Sequence, residues 1–227
     1  MKQLALGVRL RADAVFASFW PGANGEALAA LQAPGVTPLW LWGAAGSGKT
    51  HLLQAVCAAT GEGAAYFPLA TLGLPADSLA GFERSRVLCV DDVDAVAGDL
   101  AWEKALFRLF NEAAELRTRL IFAAAAAPRQ LDWSLEDWRS RAAACVVYQL
   151  RELDDPGRIE ALRLRAAQRG LQLPVETSEY LLKRMPRDLP SLFDILDQLD
   201  EASLAAQRRL TIPFIRDALE KHVRTKS

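Results

Sequence analysis

A chain of 227 residues that is 51% apolar can bury a sizeable core and is not a disordered segment. With 27 basic against 28 acidic side chains, a net charge of −1 and a pI near 6.2, it does not coat nucleic acid by bulk charge, which leaves only a local basic patch for such a contact. Cys57, Cys89 and Cys145 stand far apart with no CxxC pair, and His51 and His222 are the only histidines, so neither a disulfide framework nor a His-based zinc site is expected. Each cysteine sits in an apolar run, as a buried thiol in a reducing compartment would. Arg9, Arg11 and Asp13 interrupt any leader-like apolar segment, and prolines and glycines break the uncharged stretch from Ala27 to Gly48. A soluble cytoplasmic protein with no membrane contact is expected.

Along the chain, Pro38–Trp42 reads as a buried strand ended by glycines, and Lys49–Thr60 as a helix with Leu52, Leu53 and Val56 on one face. Ala64–Phe67 and Val87–Val90 are two further strands. A helix over Glu103–Arg117 carries Leu106, Leu109, Phe110 and Ala113 at helical spacing. Strands over Leu120–Ala123 and Val146–Leu150 follow. Strands alternating with helices predict a five-stranded parallel sheet covered on both faces. Near residue 153 the strand signal stops. Asp155-Pro156 starts a helix that ends at Gly170, and Thr177, Asp188 and Thr211 are expected to cap three more. Apolar residues at helical spacing follow each cap: Leu181 and Leu182, then Leu192, Leu196 and Leu199, then Phe214, Ala218 and Leu219. The expected division is an N-terminal segment (1–12), an α/β core (13–152) and a four-helix tail (153–227).

Gly43-Ala44-Ala45-Gly46-Ser47-Gly48-Lys49-Thr50 fits GxxxxGK[ST] and lies between a predicted strand and a predicted helix, where a phosphate-binding loop belongs. Its glycines let backbone N–H groups curl inward on phosphate oxygens, and the helix N-terminus adds partial positive charge. Lys49 is expected to reach the β- and γ-phosphates, Thr50 to ligate Mg²⁺, and the backbone N–H of His51 to help, its ring having no evident partner. The second magnesium anchor is Asp91, at the end of Val87-Leu88-Cys89-Val90 and 42 residues after Lys49. Asp92 would orient an attacking water; capping a following turn is its plainer role.

The combination of Phe16-Ala17-Ser18-Phe19-Trp20-Pro21-Gly22-Ala23-Asn24, the phosphate loop running into His51-Leu52-Leu53-Gln54-Ala55, Val90-Asp91-Asp92-Val93, Leu106–Asn111 and Leu210-Thr211-Ile212-Pro213-Phe214 resembles the DnaA/Hda family of AAA+ proteins over nearly the whole chain. The resemblance implies an AAA+ P-loop core with a helical lid. Two features fit the Hda branch: the chain ends at Ser227 straight after the lid, where DnaA continues into a helix-turn-helix domain, and Gln3-Leu4-Ala5-Leu6-Gly7 is similar to the peptide by which Hda docks on the β sliding clamp. There Leu4 and Leu6 would fill an apolar groove while Gln3 supplies amide hydrogen bonds.

The same resemblance implies that Arg141 is an arginine finger acting in trans on ATP held by DnaA, and that Arg187 contacts the phosphates of the bound nucleotide from the lid. Arg139 competes for the first role and Lys183 or Arg184 for the second; an ion pair with Glu136 or Asp137 is the plainer role for Arg141. Where the family carries polar γ-phosphate sensors, this chain has Ala123-Ala124-Ala125-Ala126-Ala127, so little intrinsic ATPase is expected. The implied activity is that of a regulator that binds ADP, docks on the clamp (hence near the nucleoid), promotes hydrolysis of DnaA-bound ATP and restrains re-initiation. The alternatives are a loader-like or DnaA-like ATPase turning over its own ATP, and an adaptor with a vestigial loop. The state of the free protein, including a nucleotide-bridged homodimer, stays open. The row Arg158, Arg163, Arg165, Arg169 reads as a solvated helix face, with weak contact to duplex DNA as the other option.

Overall fold

The computed structural model describes residues 10–206 and 210–217. The expectations for Gln3, Leu4 and Leu6, and for Ala218 and Leu219, lie outside the described residues. Two compact units divide after Glu152.

The first unit runs α1 (Gly25–Gln32), β1 (Leu39–Trp42), α2 (Lys49–Thr60), β2 (Ala64–Pro68), α3 (Leu69–Leu72), β3 (Val87–Asp91), α4 (Leu100–Leu116), β4 (Arg119–Ala124), α5 (Glu136–Ala143) and β5 (Val146–Gln149), with short 3-10 turns between. The five strands are parallel in the order β2-β3-β4-β1-β5. Leu39 faces Ile121 of β4 and Val146 of β5, and Trp42 faces Ala124 and Gln149. That register puts the end of β1, where the glycine-rich loop begins, level with the end of β4.

Alternation along each strand divides the apolar residues between two cores. Trp40, Phe67, Leu88, Val90, Leu120 and Phe122 face Leu106 and Leu109 of α4 and Trp138 of α5. Leu39, Leu41, Cys89, Ile121 and Ala123 face Leu52, Leu53 and Val56 of α2 and Leu31 of α1. In the first core Trp138 meets Phe122 and Trp133 edge-on at centroid distances of 5.6 and 5.9 Å, geometry that adds to what burial alone supplies. All three cysteines are buried and free; burial pushes the Cys145 thiol up to about 12 and Cys89 well above its ordinary value. β5 departs from the other strands. It lies at the sheet edge, and Val146 and Val147 are 41% and 40% exposed. The described residues ahead of α1 are stitched to the core by side chains: Arg11 N–H donates to Gln54 Oε1, and the Asn24 amide pairs with both backbone groups of Arg151 at 2.9 and 2.8 Å.

The second unit contains α6 (Asp155–Gln168), α7 (Val175–Arg184), α8 (Leu189–Ala206) and α9 (212–217). Asp154 caps α6 by accepting from Gly157 N–H at 2.8 Å, with Pro156 in the first turn. Asp188 accepts from Ser191 N–H at 2.9 Å at the start of α8, and hydrogen bonds to Ser191 hold its carboxyl below the usual range. Thr177 is not a cap. The N-cap of α7 is Pro174, and Thr177 is buried inside the first turn; proline fixes the helix start three residues earlier. Leu162, Leu181, Leu192, Leu196, Phe214 and Ile215 form the core of this unit. The arginine row is solvated only in part. Arg158 pairs with Asp155, Arg163 with Glu160, and Arg165 and Arg169 with Asp197, while Arg165 is buried with its guanidinium over Phe193. Each of these cations already has a carboxylate, which weakens the case for a duplex-DNA contact there. No helix among the described residues is long and apolar enough to cross a membrane.

Candidate nucleotide-binding site

Ligands of open parallel sheets are held at the carboxyl ends of the strands, and the predicted loop and acids gather there. Residues 43–50 leave β1 and enter α2. Two of the glycines are sterically required: a Cβ on Gly43 would lie 2.3 Å from the Leu150 carbonyl oxygen, and one on Gly48, at φ +97°, would lie 2.6 Å from Phe19 Cε2. Lys49 Nζ donates to the Gly43 and Ala44 carbonyls at 2.6 and 3.0 Å, folding the lysine back over the loop. Gly48 caps α2 without any side-chain acceptor, so the first N–H groups of this 12-residue helix remain to be satisfied. Ser47 Oγ is buried without a hydrogen-bond partner. Unused backbone donors beside an orphaned hydroxyl suit a ligand with several anionic oxygens, and a diphosphate fits.

Asp91 is fully buried at the last position of β3. Its Oδ2 accepts from Thr50 Oγ1 at 2.7 Å and from Tyr66 Oη at 2.8 Å, and its Oδ1 from the N–H of Asp92 at 3.1 Å. Burial, then the Asp91 charge, pushes the Tyr66 phenol far above its ordinary value, which keeps it a donor. Thr50 gives its proton to Asp91 and so keeps its oxygen lone pairs for a hard cation. The residues therefore fit Mg²⁺, with Asp91 better suited to orienting the cation's ligands than to bonding it. Among the described residues no group of three or more His, Cys, Asp or Glu side chains could hold a metal by itself, so phosphate oxygens would complete the coordination.

Asp92 occupies the left-handed region at φ 57° ahead of a 3-10 turn, and its side chain makes no capping hydrogen bond. Burial raises its pKa, then Asp91 and Asp94, against a lowering by Lys49. A carboxyl raised on folding costs stability while ionised, and that cost vanishes as pH falls below the ordinary carboxylate range. Asp92→Asn is therefore expected to raise Tm at pH 7 in metal-free buffer, helped by the tolerance of asparagine for positive φ. The gain should shrink towards pH 4; an equal or larger gain at pH 4, read by thermal unfolding, would refute the cause given.

The end of β4 is apolar as expected, and its backbone is also engaged: Ala125 N–H donates to Asp94 Oδ1 at 3.0 Å, and Trp40 Nε1 donates to the Ala126 carbonyl at 3.1 Å. The His51 ring does have partners, contrary to expectation. Its Nε2 lies 3.1 Å from both Ser18 Oγ and the Val15 carbonyl, against Phe19.

Arg141 stands elsewhere. It is exposed in the last turn of α5, its guanidinium 5.9 and 6.0 Å from the ring centres of Phe107 and Phe110. The local ion pair belongs to Arg139, with Glu136 at 3.1 Å. Since α5 leads into the start of β5, and β5 runs parallel to β1, Arg141 lies towards the opposite end of the sheet from the loop that leaves β1. The four residues of β1 put about 13 Å between the two ends of that strand at ~3.3 Å per residue. In the second unit, Arg187 is 67% exposed and 3.5 Å from Asp155.

Tyr66, Asp94 and Glu103 were not singled out in the sequence. Glu103 is fully buried on α4; it accepts from Gly98 and Ser134 N–H through Oε1 and from Leu135 N–H through Oε2 at 2.6 Å. Leu135 is the N-cap of α5 and offers no side-chain cap of its own, so a carboxylate from another helix sits at that N-terminus. An acid on the same helical stripe as Leu106, Leu109 and Ala113 was the available signal.

Residues 155–219 match the family model described as Hda, lid domain. The chain is similar in structure to domain III of the replication initiation protein DnaA from Thermotoga maritima, with a TM-score of 0.74, 21% identity and coverage of 94% of this chain and 98% of that one. It is likewise similar to AMPPCP-bound DnaA from Aquifex aeolicus (TM-score 0.70, 21% identity, 96% and 71% covered). The Thermotoga maritima RuvB Holliday junction branch migration motor is more distant, with a TM-score of 0.63, 15% identity and coverage of 81% and 61%. The fold is that of the AAA+ proteins.

Proposed function

For a chain with a lid of the Hda family on the AAA+ fold of DnaA domain III, we infer a regulatory role: it binds ADP with Mg²⁺, docks on the β sliding clamp through residues 1–12, and promotes hydrolysis of ATP held by DnaA. Re-initiation of replication is thereby restrained.

Chief support comes from the position of Arg141. A guanidinium at the far end of the sheet from its own phosphate loop suits chemistry on a nucleotide carried by a neighbour. In the open face of α5 it meets aromatic rings instead of a carboxylate, so little has to be given up when it engages phosphate. A chain turning over its own ATP would need polar groups at the end of β4, where alanines stand.

Within the chain's own site, the N–H groups of Gly46, Ser47, Gly48, Lys49, Thr50 and His51 would surround the diphosphate. Lys49 would exchange its two loop carbonyls for phosphate oxygens, Thr50 would ligate the cation, and Asp91 would orient the cation's ligands. Bound magnesium neutralises phosphate charge. Asp92 is the acid left to face water, and Arg187 is the lid residue assigned to the nucleotide. At the amino terminus, Leu4 and Leu6 would enter the clamp groove and Gln3 would hydrogen-bond its rim.

Deleting residues 1–7 tests this role. The shortened protein should fail to co-purify with the clamp and should lose clamp-dependent stimulation of ATP hydrolysis by DnaA. If both persist, clamp docking through this segment is wrong.

A further inference from the structure

We propose that Asp94 is a positioning residue that sets nucleotide choice: it closes the end of β4, so that the site recognises the diphosphate and draws no affinity from a γ-phosphate. This rests on the assignment of residues 43–50 as a nucleotide site.

The placement follows from the sheet order. β4 lies between β3, which ends in Asp91, and β1, which runs into the phosphate loop. Whatever polar groups the end of β4 offers are the ones a phosphate beyond the loop would meet. Side chains offer none, because residues 123–127 are all alanine. Backbone could substitute, since an exposed N–H is as good a phosphate donor as an asparagine amide. Here the first such donor is engaged. Asp94 Oδ1, at 3.0 Å, takes the N–H of Ala125, the residue that follows the strand. Trp40 Nε1 holds the Ala126 carbonyl at 3.1 Å, which fixes the course of the chain as it turns away.

The carboxylate also adds a negative charge beside Asp92, where a triphosphate would bring more negative charge than a diphosphate. Coulomb repulsion and the missing donor act in the same direction. A γ-phosphate therefore costs charge repulsion and gains no hydrogen bond from the Ala125 amide. Asp94 itself need not touch the nucleotide; its effect passes chiefly through the Ala125 amide, and its charge is the smaller part.

Titration calorimetry with ADP and with ATP, each with Mg²⁺, tests this on the full chain and on Asp94→Ala, Asp94→Asn and Lys49→Ala. The wild-type chain should bind ATP no more tightly than ADP. Asp94→Ala, which releases the Ala125 N–H and removes a charge, should move the affinity ratio towards ATP by about tenfold, the equivalent of one hydrogen bond to a charged group. Asp94→Asn, whose amide oxygen can still accept from Ala125, should stay within about threefold of wild type. A wild-type preference for ATP above tenfold, or an unchanged ratio in Asp94→Ala, overturns the proposal. Should Asp94→Ala fail to fold, the wild-type ratio and Asp94→Asn still decide it. Failure of the underlying site looks different: neither nucleotide binds, or Lys49→Ala binds both as well as wild type does. Either result removes the proposal together with the site.

Discussion

Replacing Arg141 with alanine is expected to lower the stimulated hydrolysis of DnaA-bound ATP by about 10³-fold or more, the scale of arginine-finger losses in GTPases. The chain's own nucleotide affinity and its binding to the clamp should be unchanged, because Arg141 lies away from residues 43–50 and clamp docking is assigned to residues 1–12. Arg141→Lys should restore little, since an ammonium cannot reproduce the forked donors of a guanidinium. Arg139→Ala is the control: its guanidinium is bound to Glu136 and to the Trp133 carbonyl, and its loss should change stimulation less than threefold. Stimulation that survives Arg141→Ala and fails in Arg139→Ala would transfer the role to Arg139.

Glu103→Ala is expected to destabilise the first unit by about 2–4 kcal/mol. Three backbone N–H groups lose a charged acceptor, and the N-terminus of α5 loses its only carboxylate from α4. Partial exposure of Gly98 and Ser134 lets water replace some of these bonds, which keeps the value below the sum of three separate losses. Glu103→Gln should recover less than half, because one end of its amide turns a donor towards a donor. Urea denaturation gives the numbers; a loss below 1 kcal/mol for Glu103→Ala would mean that the loop before α5 is held by packing of Trp133 and Trp138 instead.

The five strands were legible because each is a short apolar run with a charge, glycine or polar residue at its end, and because the loop motif fixed where the first of them stopped. The division of Trp40 and Leu41 between two cores followed from alternation alone. What escaped was set by partners distant in the chain. Tyr66 meets Asp91 only because β2 and β3 pair in register, Asp94 reaches Ala125 across 31 residues, and the His51 ring finds Ser18 across 33. Thr177 was misplaced for a local reason: a residue type favoured at caps stood three positions beyond a proline that had already begun the helix. The pairing of Arg165 and Arg169 was hidden because their acids, Asp197 and Asp200, come from another helix of the second unit.

The attachment of residues 11–19 has a mechanical consequence. Arg11 is fastened to Gln54 and Ser18 to His51, both on the helix that begins at the phosphate loop, and Phe19 presses on Gly48. A tether anchored to the first residues therefore bears on the very helix that would carry the phosphates. Tension on such a leash and occupancy of the loop share one load path, and whatever influence one exerts on the other must be returned in equal measure.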